Sequence, residues 1–79
     1  MTTEQLALIV SDPDVLHGQV HLKGTRVPVS VVLDCLAAGM TEADILGEYP
    51  TLSVKAIRAA AGYGALLARD ELLPLAATE

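Results

Sequence analysis

The sequence has no tryptophan, no phenylalanine and only two tyrosines in 79 residues. A core with so few aromatic rings must be filled by aliphatic side chains, and alanine, leucine and valine supply most of the 52% hydrophobic residues. Such small side chains let helix backbones approach closely. The single cysteine excludes an internal disulfide. A chain of this length is expected to form one domain.

Positive charge is also scarce, with five Lys and Arg residues against ten Asp and Glu and a net charge of −5. Proteins that bind nucleic acid without sequence preference carry an excess of positive charge, so any nucleic-acid contact here must come from a local patch. The apolar run Leu6–Val10 is too short for a signal peptide or a membrane span. With a lone thiol, these features predict a cytoplasmic protein that does not contact membranes.

Residues 1–28 show no helical periodicity and are predicted to form a β segment. Gln19–Leu22 alternates polar and apolar side chains, which is typical of a strand. Gly24 can adopt a positive φ in a tight turn, which Thr25 closes with its hydroxyl group. Arg26–Pro28 is the predicted return strand of this hairpin. Because two strands alone are marginally stable, the hairpin must pack on helices or pair with a second chain.

Two residues of the return strand have distinct expected roles. Pro28 lacks an N–H group and is expected at an edge or at the strand end. Arg26 has two interpretations. It binds a phosphate or a partner carboxylate through two hydrogen bonds, or it pairs with Asp12, Asp14 or Asp34 and fixes the hairpin to the first helix. The sequence favours the second interpretation.

Three helices are predicted within residues 29–69. The residues of the first helix that share one face are Val29, Val32, Leu33 and Leu36. Gly39 ends this helix, and Thr41 is the N-cap of the second. The buried side of the second helix is expected to contain Ile45, Leu46 and Tyr49. Pro50 stops the second helix, because the residue before a proline leaves the α region.

The third helix is predicted to begin after the N-cap Ser53 and to run to about Arg69. Its apolar face is expected to contain Val54, Ile57, Ala61 and Ala68. A basic stripe is expected to contain Lys55, Arg58, Gly62 and Arg69. Gly62 and Gly64 cost about 1 kcal/mol each inside a helix. Close approach of another helix would offset this cost, most simply the same helix of a second copy, which predicts a homodimer. The alternative is a helix that kinks or ends near Gly64.

The short helix over about 42–48, the turn 49–52 and the longer helix over 53–69 have the outline of a helix-turn-helix unit. In such a unit the second helix enters the major groove of DNA. The candidate DNA-binding residues are Thr51, Ser53, Lys55 and Arg58. The alternative is a three-helix bundle with a solvated basic face, and the pattern alone leaves both open.

Two sequence blocks carry a resemblance to a known family. They are Gly24-Thr25-Arg26-Val27-Pro28-Val29 and Tyr49-Pro50-Thr51-Leu52. From about Ile9 to Tyr63 the chain resembles domain-of-unknown-function family 433, small proteins often described as VapB-like antitoxins. It departs from that pattern at Val20, where the family often has proline after a Gly-Lys pair. The resemblance implies a homeodomain-like three-helix core behind an N-terminal β segment, commonly dimeric, and a frequent role beside a PIN-like ribonuclease toxin.

Residues 70–79 are predicted to form a mobile tail that orders when it binds a partner. The candidate partner-binding residues are Arg69, Leu72, Leu73 and Leu75. Arg69 is expected to neutralise metal-binding carboxylates in an acidic nuclease centre. The sequence therefore predicts an antitoxin that binds and neutralises a PIN-like toxin and also contacts operator DNA. The alternative is a helix-turn-helix transcriptional regulator that acts without a toxin.

Neither a metal site nor catalysis is expected. His17 and His21 have no third ligand nearby in the sequence and are expected to be surface imidazoles. Cys35 lies in an apolar helix without a neighbouring histidine, which favours a buried inert thiol. Solvated helix faces explain Asp34 and the Asp70-Glu71 pair better than acid catalysis does. We therefore expect a protein that is not an enzyme and has no cofactor.

Overall fold

The protein is described by a computed structural model that covers residues 1–70. Its elements are α1 (Thr3–Leu6), β1 (Ile9–Val10), β2 (His21–Leu22), α2 (Val29–Ala37), α3 (Glu42–Glu48) and α4 (Val54–Asp70). This confirms a mainly helical chain with a small β element. None of the helices in residues 1–70 is long and apolar enough to span a bilayer. The predicted partner-binding residues Leu72, Leu73 and Leu75, and the predicted mobility of the tail, lie outside the described residues.

The small sheet pairs different segments from those of the predicted hairpin. β1 and β2 are antiparallel, with Ile9 opposite Leu22 and Val10 opposite His21. The predicted return strand contributes only one bridge, between His21 and Pro28. It cannot extend the ladder because Pro28 has no N–H group to donate. The partner strand β1 was missed because two residues are too short for an alternating pattern to be recognised.

A short N-terminal helix, α1, also differs from the predicted β segment. A capping box closes it. The N–H group of Gln5 donates to Thr2 Oγ1 at 3.1 Å, and the N–H group of Thr2 donates to Gln5 Oε1 at 3.0 Å. A single helical turn has no periodicity, so only this capping signal was available in the sequence.

The limits of α2 and α3 agree with the local signals. Gly39 has φ +87° just after α2. α3 ends at Glu48, so it stops before Pro50 as expected. Thr41 caps α3, and the Asp44 side chain accepts a hydrogen bond from the Thr41 N–H group at 3.0 Å. That hydrogen bond is the main reason that the pKa of the Asp44 carboxyl group lies below its usual value. A hydrogen bond to the Thr41 side chain is the second reason.

The core contains one fully buried large side chain from each of four elements. These are Leu22 of β2, Val32 of α2, Ile45 of α3 and Ile57 of α4. Around Ile57, α4 also buries Ala56, Ala59 and Ala60. The face predicted for α4 was therefore wrong apart from Ile57, since Val54, Ala61 and Ala68 are exposed. A run of alanines has no clear hydrophobic periodicity, so the packing of α2 and α3 decides which side is buried.

The two glycines within α4 are approached by other parts of the same chain. A Cβ added to Gly64 would lie 3.2 Å from both Cδ atoms of Leu33 in α2. A Cβ added to Gly62 would lie 3.7 Å from Met1 Cγ and 3.7 Å from Gln5 Oε1. The close approach expected at these glycines thus occurs within one chain, and they do not require a second copy. The homodimer remains a prediction based on the family resemblance and the short sheet.

Two other glycines provide a matched test of backbone strain. A Cβ added to Gly39 or to Gly47 meets no atom within 4 Å, but Gly39 has φ +87° while Gly47 lies within α3. We expect Gly47→Ala to raise the free energy of unfolding by about 0.5–1 kcal/mol through helix propensity. Gly39→Ala should lower it by about 1–2 kcal/mol, because alanine is strained in the left-handed region. Urea denaturation followed by circular dichroism measures both, and a change of the same sign in both variants would contradict the assigned φ values.

Candidate functional site

The two sequence blocks that carry the family resemblance meet on one face of the molecule. The turn of residues 23–28 lines an open groove of about 970 Å³ together with Tyr49 and Thr51 of the α3–α4 turn. Its remaining wall comes from residues 10–13 and 15, from His21 of β2 and from Val31 of α2. We call this surface the motif groove. Nineteen residues separate the two blocks in sequence, so the fold brings them together.

Hydrogen bonds of Thr25 hold the first wall of the motif groove. Its Oγ1 donates to the Leu22 carbonyl at 2.8 Å and accepts from the Val27 N–H group at 3.0 Å. Gly24 has φ +77° in the same turn. The predicted roles of Gly24 and Thr25 are therefore confirmed. Arg26 lies exposed between these anchored positions.

The loop between β1 and β2 forms another wall and contains unusual backbone geometry. Leu16 and His17 have φ values of 53° and 55°, followed by Gly18 at 83°. A non-glycine residue in this region costs about 1–2 kcal/mol. The loop is held by Ser11 Oγ, which donates to the Gly18 carbonyl at 2.5 Å, and by Asp12, whose carboxylate accepts the Asp14 N–H group. These hydrogen bonds help to offset that cost.

Positive charge collects at the motif groove. Lys23 and Arg26 are both exposed and both line it, together with the carboxylate-bearing Asp12. Within residues 1–70 Arg26 forms no ion pair, so its predicted pairing with Asp12, Asp14 or Asp34 is wrong. These partners were proposed from charge alone, which cannot show where a loop directs its side chains. The Arg26 guanidinium therefore has donors available for a ligand.

His21 lines the groove and corrects a second prediction. His21 is only 4% exposed, so it is not a surface imidazole, whereas His17 is exposed as expected. His21 Nδ1 lies 2.9 Å from the Gln19 carbonyl oxygen. Because a carbonyl oxygen only accepts, Nδ1 must carry the proton. Cys35, predicted to be buried, is half-buried against the core.

No group of three or more His, Cys, Asp or Glu side chains within residues 1–70 is arranged to hold a metal ion.

The four predicted DNA-binding residues are distributed over two surfaces. Thr51 lines the motif groove. The Ser53 hydroxyl accepts the Ala56 N–H group at 3.1 Å and so caps α4, as predicted. Lys55 and Arg58 are exposed on α4. The structure therefore places only Lys55 and Arg58 together on one helix face.

That basic face is partly occupied. Arg58 Nε lies 3.1 Å from Glu42 Oε2, and 67% of the Arg58 side chain is exposed. Such an exposed pair contributes little to stability, but it reduces the positive charge of this face. Lys55 and Arg58 also line a cleft of about 360 Å³ with Thr2, Glu4 and Gln5 at the N-terminus. Arg69 is exposed in the last turn of α4.

The groove residues Asp12, Lys23 and Val31 were not identified from the sequence. A turn signal was present around Asp12 and beside Lys23, but it indicated only chain reversal. Val31 is one residue outside the predicted apolar face of α2. Their assembly at one surface depends on tertiary packing, for which the sequence has no local signal.

Three comparisons relate the chain to other proteins. A sequence model of the family described as "Protein of unknown function (DUF433)" matches residues 9–64. The uncharacterized protein y4eO of Sinorhizobium fredii is 39% identical over 56 residues, which span 71% of this chain and 25% of that protein. The chain thus spans about a quarter of the length of this curated relative.

A solved structure has the same fold. The crystal structure of a DUF433 member protein from Anabaena variabilis superposes with a TM-score of 0.70 at 22% sequence identity. The match covers 89% of this chain and 80% of that chain.

The Thr25 hydroxyl provides a direct test of the groove wall. Thr25→Val keeps the shape of the side chain but removes both hydrogen bonds, and it should lower the free energy of unfolding by about 1–3 kcal/mol. The control Thr25→Ser retains the hydroxyl group and should cost about 0.8 kcal/mol or less. Urea denaturation measures both. Equal losses in the two variants would show that the hydroxyl does not hold this turn.

Proposed function

The chain belongs to the DUF433 family of proteins of unknown function, and we propose that it is a non-catalytic binding module, the antitoxin of a type II toxin–antitoxin pair. The convergence of the two motif blocks on one groove supports this proposal most strongly. Arg26 is exposed there and forms no ion pair within residues 1–70. The guanidinium of Arg26 therefore has donors available to a partner.

The lining of the motif groove favours a protein partner. Val10, Pro28, Val31 and Tyr49 line it and are half-buried, so each retains apolar surface in contact with water. A partner that covers them gains the free energy of burying this surface. Tyrosine and arginine are also enriched in protein interfaces. The combination of an apolar lining and exposed cations suits a protein surface better than a small substrate.

The family resemblance supplies the identity of the partner, a PIN-like ribonuclease toxin. Such a nuclease holds catalytic metal ions with clustered carboxylates. An exposed guanidinium neutralises clustered carboxylates effectively, because it donates two parallel hydrogen bonds. We propose Arg69, which is exposed at the end of α4, as a contact to that centre. The groove and the end of α4 would then contact the toxin at two places.

Co-expression tests the antitoxin proposal. The chain should co-purify with the PIN-like protein encoded beside its gene, and the complex should show little of the ribonuclease activity of the free toxin. Arg69→Ala should restore a measurable part of that activity if the guanidinium covers the nuclease centre, whereas Arg58→Ala, on another turn of α4, should not. The proposal fails if no PIN-like protein is encoded there, if no complex forms, or if the complex cleaves RNA as fast as the free toxin.

A stand-alone DNA-binding regulator is the second candidate, favoured by the succession of α3, a proline turn and α4. We propose that these helices form a helix-turn-helix unit in which Thr51, Ser53, Lys55 and Arg58 contact DNA. Glu42 beside Arg58 and the N-terminal residues beside Lys55 count against this role, since both reduce access to the basic face. Only a few phosphate contacts would remain, so the salt dependence of binding should be shallow.

An electrophoretic mobility shift with the DNA upstream of the gene tests this second candidate. Retardation at low salt, weakened several-fold by Lys55→Ala and unchanged by Lys23→Ala, would support it. Lys55→Ala should also lower the slope of log K against log salt by about 1. No retardation at low salt, or equal binding by both variants, would exclude α4 as the DNA-contacting helix.

A further inference from the structure

We propose that the motif groove binds an extended acidic segment of the protein partner, with a carboxylate between Lys23 and Arg26 and an apolar side chain against Val31 and Tyr49. This inference rests on the proposed function in one respect, that the occupant belongs to a protein partner. It adds the location of the contact and the chemistry of the segment.

Charge is the first argument for an acidic occupant. The chain has a net charge of −5 and only five Lys and Arg residues. Two of the five, Lys23 and Arg26, line this one groove, where Asp12 is the acidic residue of the lining. Arg58, by contrast, already contacts Glu42. The motif groove is therefore a local positive surface on an acidic protein. Such a surface attracts the carboxylate of an acidic segment that binds there.

The fixed shape of the groove is the second argument. Thr25 holds the turn that carries Arg26 through two hydrogen bonds. Ser11 and Asp12 hold the opposite loop through hydrogen bonds to Gly18 and Asp14. Because these walls are already ordered, the conformational entropy lost on binding falls mainly on the segment that binds. A short extended segment is thus sufficient to occupy the groove.

The lining distinguishes a polypeptide from a nucleic acid. Most of the surface that lines the groove is apolar, and apolar surface offers no hydrogen-bond donor to a phosphate backbone. A nucleic acid is charged along its whole length, so it would also meet Asp12 and the net charge of the chain. An acidic peptide can place one carboxylate at Lys23 and Arg26 and direct apolar groups elsewhere. Asp12 then opposes a second carboxylate and gives the bound segment a direction.

Selection from a phage-displayed library of random peptides on the full chain tests the groove without knowledge of the partner. Selected peptides should place Asp or Glu beside a large apolar residue. Synthetic versions of these peptides should bind Arg26→Glu and Lys23→Glu at least tenfold more weakly than they bind the wild type. Their binding to the wild type should weaken as the salt concentration increases. Lys55→Glu is the matched control, an exposed cation outside the groove, and should bind as the wild type does. Urea midpoints equal to that of the wild type show that the variants are folded.

Charge exchange provides a second readout. Replacing the acidic residue of a selected peptide with lysine should abolish binding to the wild type and restore binding to Arg26→Glu. Selection of peptides without acidic residues, or equal binding by wild type and Arg26→Glu, overturns the inference. So does failure to select any peptide. Binding of RNA or DNA that Arg26→Glu abolishes would assign the groove to a nucleic acid, and a dimer that Arg26→Glu dissociates would assign it to a second copy.

The same variants separate this inference from the antitoxin proposal. If the PIN-like protein binds and is inhibited equally by wild type and Arg26→Glu, the antitoxin proposal stands and the groove is not its contact. If acidic peptides bind through Arg26 but no PIN-like protein forms a complex, the groove inference stands and the antitoxin proposal fails.

Discussion

The packing of four aliphatic side chains determines where the motif groove lies. Leu22, Val32, Ile45 and Ile57 are fully buried, and they fix β2, α2, α3 and α4 relative to one another. The turn that carries Arg26 directly follows Leu22, and the turn that carries Thr51 lies between Ile45 and Ile57. Any loosening of this core would therefore separate the two walls. Without tryptophan or phenylalanine, the close fit depends on small residues of α4, such as Ala59 and Ala60, that let neighbouring elements approach.

How far the sequence predicts this structure depends on the range of the interactions involved. The cap residues Thr41 and Ser53, the turn at Thr25 and the stop before Pro50 were predicted correctly, because each depends on neighbours within a few residues. The partner of β2 and the buried face of α4 were not, because distant segments decide them. The groove was missed for the same reason. Its motif residues were identified, but their convergence is a property of the packed chain.

The distribution of charge explains why the groove and the basic face of α4 differ in character. On α4, Glu42 satisfies Arg58, and residues of the N-terminus lie beside Lys55. At the groove, the Lys23 N–H group donates to the Leu8 carbonyl at 2.8 Å, and Arg26 has no carboxylate partner within residues 1–70. Exposed cations without a carboxylate partner attract an anionic partner more strongly than cations already neutralised by the protein itself.

The residues of the first motif block divide by what the fold requires of them. Gly24 supplies a positive φ, Thr25 supplies two hydrogen bonds, and Pro28 precedes α2 as its N-cap residue. Val27 is buried in the core. Arg26 is the exception, since it is exposed and forms no ion pair within residues 1–70. Because no ion pair within residues 1–70 uses its guanidinium, the donors of Arg26 are available to another molecule, and both the antitoxin proposal and the groove inference depend on this residue.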